Sequence, residues 1–431
     1  MIEQVAKWSR APRAGTFGMI SSIRIDNSAN QARRASSWGL KDVCIVGVGT
    51  SDAFGFDLAK SPLRLQSEAF TAALADAGLG VADIDGFITP KGAPRGVDYE
   101  EFVLATGLNL RWVSQLWAHG RWATTTVLEA AMVLQARLAD CVAIAASSVT
   151  GRGYGRHLQG LGEAAVREGQ RDVGGGHGEY DVHGLDTPGA ATALVARSYM
   201  ERYGATEDDL ANIAIAFRRN ASKNPMAVMS KKPLTKELYL QEPMIVEPFR
   251  RADYCLASEG ATCLILARHE RARDLRAKPV RIAAGGGVHA GRDDYILFAR
   301  PGIGVGVSKE AGFDDDPARD VFARAGLAVD DIDGLYLYDS FTSNTWMTLE
   351  RFGFCAEGEA WRYVAEHGLD IESRLPVNTN GGLLSEAHLL GYGHLIEMVR
   401  QLRGTAGPRQ ITGAEVVQWA TPRGDSLILT V

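Results

Sequence analysis

Apolar side chains recur at every third or fourth position between Ala123 and Leu138, which is the pattern of a helix that packs on one face. We expect this helix to open at Gly120 and to lead into a short apolar strand at residues 141–146. Free N–H groups and the positive end of the helix dipole at Gly120 would suit a developing negative charge. We therefore interpret this platform, the helix with its strand, as the floor of an active site. The alternative is a helix that only packs.

The same patterns predict the remaining elements of an alternating α/β chain. Short apolar runs predict buried strands at residues 42–49, 85–88, 259–267, 280–287, 334–338, 415–420 and 426–431, with the last two forming a hairpin. Helical periodicity predicts helices at residues 62–78, 190–203, 207–220, 317–326, 344–352 and 387–402. Gly78 is the expected C-cap of the first of these, and Thr206 is expected to cap the helix at 207–220. Glycine-rich and charged loops around the two middle helices indicate an insertion at residues 150–247 that can close over a ligand.

An internal repeat decides the architecture. Residues 74–86 match residues 322–334, with nine of the thirteen positions identical. The same strand–helix–strand unit with a glycine cap therefore occurs twice. Each half is also expected to carry a central helix, starting at Gly120 in the first and at His388 in the second. If the halves pack face to face, both helix starts look into one cleft.

Composition narrows the class of protein. The 431-residue chain is 46% apolar and 23% charged, with a net charge of −6. Because the sequence contains no stretch of clustered Lys and Arg residues with aromatic residues between them, we expect no nucleic-acid partner. No apolar run reaches the ~18 residues of a membrane helix, so no membrane association is expected. The five cysteines are scattered without a C-x-x-C pair, which predicts neither disulfides nor a metal site and favours the cytoplasm. Residues 1–40, rich in Ser, Ala and Arg, are expected to form a disordered N-terminal extension.

Three motifs of the second half resemble the thiolase superfamily, and more narrowly its sterol-carrier and lipid-transfer branch. They are YDSFT at 338–342, FCAEG at 354–358 and NGGLLSEAH at 380–388. Residues 249–253 and 258–261 also resemble the end of that family's first half. The resemblance implies an α/β thiolase fold, with two pseudo-symmetric βαβαβ halves in a layered α-β-α-β-α arrangement. The expected halves are 41–270, which includes the loop insertion 150–247, and 271–431.

The chain departs from the thiolase pattern where the family keeps its reactive groups. Gly120 stands at the position of the nucleophilic cysteine, Tyr338 replaces the first histidine, and the region 418–424 lacks the second cysteine. Without a thiolate at that position no acyl-enzyme forms by the standard route. The pattern is similar to that of the cysteine-free aldolases that cleave steroid side chains, which use cleft tyrosines and an OB-fold, zinc-ribbon partner protein.

Three residues are candidates for the chemistry. Tyr338 ends a predicted core strand, and we expect it to transfer a proton to or from a substrate oxygen; the alternative is a structural tyrosine. Tyr295 is a second candidate, or else an aromatic that covers the entrance. His388 is expected to open a helix whose dipole keeps the imidazole neutral, for polarising a thioester oxygen or relaying a proton.

Six further residues are predicted to bind substrate: Gly120, His119, Asn380, Gly381, Gly382 and Asp339. Gly120 would leave room for a bulky leaving group. The Asn-Gly-Gly turn is expected to act through its backbone, with positive φ angles and a close approach to the thioester. For His119 the alternative is packing between tryptophans, and for Asp339 it is orienting its own loop.

The resemblance, taken with these residues, implies a carbon–carbon lyase that performs retro-aldol cleavage of a β-hydroxyacyl-CoA, with a steroid or bile-acid side chain, and needs no cofactor beyond the CoA of the substrate. The resemblance also implies a homodimer. Two alternatives stay open. One is a catalytically silent acyl-CoA- or lipid-binding subunit, which would not need Tyr338, Tyr295 or His388. The other is an acetyl-CoA acyltransferase that uses a cysteine elsewhere in the chain.

Overall fold

The computed structural model describes residues 40–91, 97–117, 122–148, 188–288 and 317–431. The strands are β1 Val43–Thr50, β2 Gly86–Lys91, β3 Trp112–Trp117, β4 Cys141–Ser148, β5 Met244–Val246, β6 Phe249–Arg250, β7 Gly260–Arg268, β8 Val280–Gly286, β9 Gly334–Leu337, β10 Val416–Ala420 and β11 Ser426–Thr430. The helices are α1 Pro62–Ala77, α2 Tyr99–Thr106, α3 Ala123–Gln135, α4 Pro188–Tyr203, α5 Glu207–Ser222, α6 Lys236–Gln241, α7 His269–Ala272, α8 Asp320–Ala325, α9 Ser343–Arg351, α10 Ala360–His367, α11 Gly382–Ser385 and α12 Tyr392–Arg403.

The strand order shows the two related halves. It runs β3-β2-β4-β7-β1-β8-β11-β10-β9, and the halves join edge to edge where β1 pairs with β8 over two residue pairs. Outward from that junction, β7, β4 and β2 in the first half correspond to β11, β10 and β9 in the second. The directions also match, because β2·β4 and β9·β10 are parallel whereas β4·β7 and β10·β11 are antiparallel. The α/β architecture of two related halves that the repeat predicted is therefore confirmed.

Three apolar clusters separate the layers. Successive residues of a strand point to opposite faces, and in β1 Val43 and Ile45 join the central cluster while Cys44 and Val46 join an outer one. The central cluster contains α3, α12 and the inner faces of both half-sheets. The two outer clusters pack α1 and α2 on one side and α8, α9 and the insertion helices on the other. This alternation produces the α-β-α-β-α layering.

The sequence repeat folds into the same local structure twice. The helices α1 and α8 end at Gly78 and Gly326, whose φ angles of 72° and 75° are left-handed. A short 3-10 turn follows in each half, at Val81–Asp83 and Val329–Asp331. The strands β2 and β9 then begin at equivalent glycines. The predicted glycine caps are confirmed, and so is the capping of α5 by Thr206, whose N–H donates to Asp209 Oδ2 at 2.8 Å.

Several predicted bounds need correction. The helix expected to start at His388 begins at Tyr392, because Leu390 and Gly391 take left-handed φ angles of 54° and 82°. Leu138 lies beyond α3 and is 44% exposed, so its predicted inward position is wrong. The expected start of the platform helix at Gly120 falls outside the described residues, and α3 begins at Ala123. The patterns also missed α2 and the edge strand β3.

The insertion is anchored on the second half. Asn220 of α5 donates from Nδ2 to the carbonyl of Val377 at 2.9 Å, and Asn224 donates to Asn380 O at 3.0 Å. Residues 149–187 of the insertion lie outside the described ranges, as do residues 1–39. The predicted division of the chain into an extension at residues 1–40 and two halves at residues 41–270 and 271–431 stays a prediction. Within the described ranges no helix combines the length and apolar character required to cross a bilayer.

Candidate active site

Tyr338 follows the carboxyl end of β9 and is held there by its neighbour β10. Its N–H donates to Ala420 O at 3.2 Å, continuing the parallel pairing of Leu337 with Ala420. The side chain is 5% exposed and belongs to the central cluster. Its ring meets Trp419 edge to face, with centroids 6.3 Å apart. The phenol of Tyr338 is therefore held in the central cluster, against Trp419.

His388 lies beside Tyr338, although 50 residues separate them along the chain. The Tyr338 hydroxyl is 3.3 Å from His388 Nε2. The backbone of His388 is fixed by Ser258, whose Oγ accepts the His388 N–H at 2.7 Å. Burial lowers the pKa of His388 to about 4, against the opposing effect of the Asp339 carboxylate. The imidazole is therefore neutral at pH 7. The predicted cause was wrong, because His388 precedes α12 in a loop and burial, not a helix dipole, keeps it neutral.

Asp339 organises the turn that carries His388. The carboxylate is fully buried and accepts the N–H groups of Leu383 and Leu384 at 2.9 and 3.1 Å. It also lies 3.1 Å from His394 Nε2. These contacts orient the loop, which is the alternative role weighed for Asp339. Its role as a substrate-binding residue stays a prediction.

The Asn-Gly-Gly turn has the predicted left-handed backbone. Gly381 and Gly382 have φ angles of 105° and 67°. A Cβ at Gly381 would lie 2.6 Å from Ala221 Cβ, and one at Gly382 would lie 2.1 Å from Asp339 Oδ2. The close approach is thus to α5 and to Asp339. The Asn380 side chain is buried and donates to Glu386, while its oxygen accepts Gly382 N–H at 3.3 Å. Substrate binding by this turn stays a prediction.

Three predicted site residues cannot be placed. Gly120, His119 and Tyr295 lie outside the described residues. The first turn of α3, just after Gly120, is described, and Thr126 Oγ1 there lies 2.9 Å from Tyr392 Oη of α12. This contact joins the two central helices close to their starts. The structure therefore brings the beginnings of both helices together, as the repeat predicted.

Sequence patterns missed two residues that shape the site, Asn378 and Glu386. Asn378, with a φ of 47°, clamps Leu337 through both its amide atoms, at 2.8 and 3.1 Å, and so fixes the end of β9. Glu386 is buried between Asn224 and Asn380, and burial together with the charge of Glu397 raises its pKa to about 7. Both residues lie in or beside the Gly-rich motif, which is the one signal that pointed to them.

Four of the five cysteines show no sign of activation. Burial raises the pKa of Cys44 to about 11 and the pKa values of Cys141 and Cys255 to about 12, and it raises that of Cys263 as well. The nucleophile of a thiolase is a thiolate. These four side chains are therefore protonated at neutral pH and are poor candidates for an acyl-forming nucleophile.

Fold and site together define a thiolase-fold protein, and comparison with known proteins agrees. The family described as Thiolase C-terminal domain-like matches residues 315–421. The chain is 37% identical over 369 residues to the 17-hydroxy-3-oxo-4-pregnene-20-carboxyl-CoA lyase of Mycobacterium tuberculosis, covering 84% of this chain and 92% of the relative. It is 35% identical over 369 residues to the steroid side-chain-cleaving aldolase of Thermomonospora curvata, covering 84% of this chain and 90% of the relative.

A solved structure gives the same answer. The Ltp2-ChsH2(DUF35) aldolase superposes with a TM-score of 0.78 and 31% identity, over 91% of this chain and 98% of that chain. The chain therefore belongs to the thiolase superfamily, in the branch that contains the steroid side-chain-cleaving aldolases.

Proposed function

We propose that the protein is a carbon–carbon lyase that cleaves a β-hydroxyacyl-CoA by a retro-aldol reaction, with a steroid or bile-acid side chain as the acyl group. One observation carries the proposal. A buried tyrosine contacts a neutral histidine in a chain that is 37% identical to an acyl-CoA lyase. The reaction gives a ketone and a shorter acyl-CoA, and it needs no cofactor beyond the CoA of the substrate.

The proposed reaction needs one proton acceptor, one proton donor and a stabilised enolate. A base takes the proton of the β-hydroxyl group, the bond between the α and β carbons breaks, and the β carbon leaves as a ketone. The electron pair of that bond becomes the enolate of the shorter thioester, whose α carbon then takes up a proton. We assign the proton transfer at the substrate oxygen to Tyr338. A neutral His388 can donate a hydrogen bond to the enolate oxygen, and Tyr295 remains a second candidate for proton transfer.

The surface beside the site suits the phosphates of CoA. The turn at residues 226–232 is pinned to the His388 loop, because Val228 and Met229 donate their N–H groups to Glu386 O at 2.9 Å and Ser385 O at 3.1 Å. The exposed side chains of Lys231 and Lys232 lie on this turn. Lysine is a common ligand for phosphate. We therefore propose that CoA lies across this turn, with its thioester directed toward His388.

The relatives and the sheet edge support two partner proposals. The name of the solved aldolase includes a DUF35 component, ChsH2, and we propose that this protein also works with an OB-fold, zinc-ribbon partner of that kind. We further propose a homodimer formed through β3. This strand is at the end of the sheet order, and Val113 on it is 39% exposed. A cytoplasmic location fits the five free cysteines.

The test mixes the purified protein, with and without a DUF35 partner, with a β-hydroxyacyl-CoA steroid. Mass spectrometry then follows release of the ketosteroid and the short acyl-CoA. We expect wild type to cleave the substrate and Tyr338→Phe to lower kcat by about 100-fold or more, since a positioned acid–base group contributes roughly 10²–10⁴-fold. Iodoacetamide should leave the activity unchanged, because no cysteine takes part.

The alternatives predict different results. Cleavage that survives in Tyr338→Phe would keep the reaction and remove the role of Tyr338. Binding of the thioester without any cleavage, with the partner present, would support the silent subunit. Activity abolished by iodoacetamide would support an acyltransferase with a reactive cysteine.

A further inference from the structure

The turn between β10 and β11 contains a buried carboxyl group that the proposed reaction does not use. Asp425 is fully buried. Its carboxyl accepts hydrogen bonds from the Thr421 hydroxyl and from Trp419 Nε1, the latter at 3.2 Å. Both of these hydrogen bonds lie within the hairpin that β10 and β11 form.

Trp419 links Asp425 to the candidate active site, because its indole donates to Asp425 and its ring contacts Tyr338. One side of its ring faces Tyr338, and His394 lies edge to face with it at a centroid distance of 5.3 Å. The hairpin holds the ring in place, because Ser426 Oγ donates to Trp419 O at 2.9 Å and Gln418 Nε2 donates to Ser426 Oγ at 2.9 Å. The residue after Trp419 accepts the backbone N–H of Tyr338. The hairpin therefore contacts both the backbone of Tyr338, through Ala420, and its ring, through Trp419.

The groups that hold Asp425 are neutral donors. They are the Thr421 hydroxyl, the Trp419 indole N–H and the backbone, and burial outweighs them and raises the pKa of Asp425 to about 7. A carboxyl in such surroundings does not need its charge to make these hydrogen bonds. An asparagine, with the same shape and a carbonyl acceptor, should replace it more faithfully than an apolar side chain of similar size.

We propose that Asp425 is a positioning residue, which holds the Trp419 indole against Tyr338. The proposal rests on the lyase function proposed above. Asp425 itself does not exchange a proton with the substrate. Its effect is to fix the phenol of Tyr338 at the distance that proton transfer requires, and misplacement of a catalytic group by about 1 Å can lower the rate by about 100-fold.

The experiment measures kcat, KM and thermal stability with the same steroid thioester and the DUF35 partner. Asp425→Asn is expected to keep kcat within about threefold of wild type, while Asp425→Leu lowers kcat by about tenfold or more with KM changed by less than about twofold. Trp419→Phe keeps a ring but removes the indole N–H, and it should lower kcat in the same direction. It also serves as the second variant if Asp425→Leu does not fold.

A matched control separates positioning from loss of stability. Glu350 is likewise a fully buried carboxyl, which accepts hydrogen bonds from the Tyr199 hydroxyl and from Ala360 N–H. Glu350→Met should lower the melting temperature and leave kcat within about twofold, because most buried substitutions act on stability alone. In the Tyr338→Phe background, Asp425→Leu should reduce the remaining rate no further.

Each other outcome overturns the proposal. If Asp425→Leu lowers kcat no more than Glu350→Met does, Asp425 has only a structural role. If Asp425→Asn loses as much kcat as Asp425→Leu, the carboxyl itself exchanges the proton. A wild type that binds the thioester without cleaving it removes the lyase function and this inference together, whereas cleavage by wild type with an unaffected Asp425→Leu removes this inference alone.

Discussion

His388 and Glu386 are two residues apart, and burial shifts their pKa values in opposite directions. The pKa of His388 falls to about 4, and that of Glu386 rises to about 7. Burial penalises the charged form of any side chain, so both shifts favour neutral groups beside the site. A neutral His388 donates or accepts a hydrogen bond without adding a charge next to an acyl-CoA that is already negative.

The pKa of Glu386 predicts how stability changes with pH. Because its folded-state pKa of about 7 exceeds the ordinary glutamate pKa of 4.5, the contribution of Glu386 to stability is present below the unfolded pKa and is lost as the pH rises through 7. Glu386→Gln removes this loss. We expect the free energy of unfolding of the variant, relative to wild type, to increase by about 1–3 kcal/mol between pH 5 and pH 8.

Urea denaturation at several pH values measures this difference. The control is Glu366→Gln, since Glu366 is exposed and lies on α10, away from the Gly-rich motif in the chain. Parallel curves for wild type and Glu386→Gln across this pH range would contradict the raised pKa.

At the residue scale, the motifs predicted Tyr338 and His388, and the structure places these two side chains in contact. The sequence did not contain their distance, because the contact depends on the pairing of β9 with β10 and on the loop before α12. Asn378 and Asp425 were missed for the same reason. Their partners, Leu337 and Trp419, become neighbours only when the strands and turns are in register.

At the scale of elements, each copy of the repeat contributes one aspartate, Asp85 or Asp333, that binds the backbone where a parallel strand of its half begins. Asp85 Oδ1 accepts the N–H groups of Asp140 and Cys141 at 2.8 and 2.9 Å, where β4 begins. Asp333 Oδ2 accepts those of Glu415 and Val416 at 2.8 and 2.9 Å, where β10 begins. The identical residue thus makes the same contact twice, which explains why both copies of the repeat end in Ile-Asp-Gly.

This equivalence predicts equal effects of substitution in the two halves. Asp85→Ala and Asp333→Ala should each lower the free energy of unfolding by about 1.5–3 kcal/mol, because each leaves two strand N–H groups without a charged acceptor. Chemical denaturation measures both values. Asp330→Ala is the control, since the Asp330 side chain is 84% exposed and surface substitutions usually change stability by less than about 0.5 kcal/mol.

A large cost in only one half would contradict the structural equivalence of the two aspartates.

The start of α12 shows a limit of pattern reading at this scale. The residues before Tyr392 are apolar and continue the helical period, so the sequence predicted a helix from residue 387. The chain instead makes left-handed turns at Leu390 and Gly391. A left-handed leucine is unfavourable in isolation, so it persists here because the surrounding packing fixes it. No local pattern reports that packing.

At the scale of the whole molecule, the two halves form one nine-stranded sheet, joined where β1 pairs with β8. The chain ends its sheet with β3 on one side, and this strand has no further strand paired to its outer edge within the described ranges. An open strand edge readily pairs with another chain. Leu104 on the adjacent α2 is 87% exposed, which adds apolar surface to the same end of the molecule.

The proposed homodimer leads to a simple test. Val113→Lys places a charge on β3 and should convert the dimer to a monomer, because charged residues on an edge strand oppose pairing. Light scattering coupled to size-exclusion chromatography measures the mass. The control is Leu238→Lys on α6, where Leu238 is 45% exposed and the dimer should persist. A wild-type monomer, or a dimer that Val113→Lys leaves intact, would contradict an interface at β3.

The sequence alone determined the two halves, most of their strands and helices, and the two residues at the centre of the proposed chemistry. It could do so because a repeat, a glycine cap and a hydrophobic period act within a few residues of the chain. The tertiary structure decided which side chains meet. The contact of Tyr338 with His388, the start of α12 and the burial that shifts the pKa values of His388, Glu386 and Asp425 all depend on packing between segments that are distant in sequence. Burial and long-range contacts are properties of the assembled core, so no local pattern could supply them.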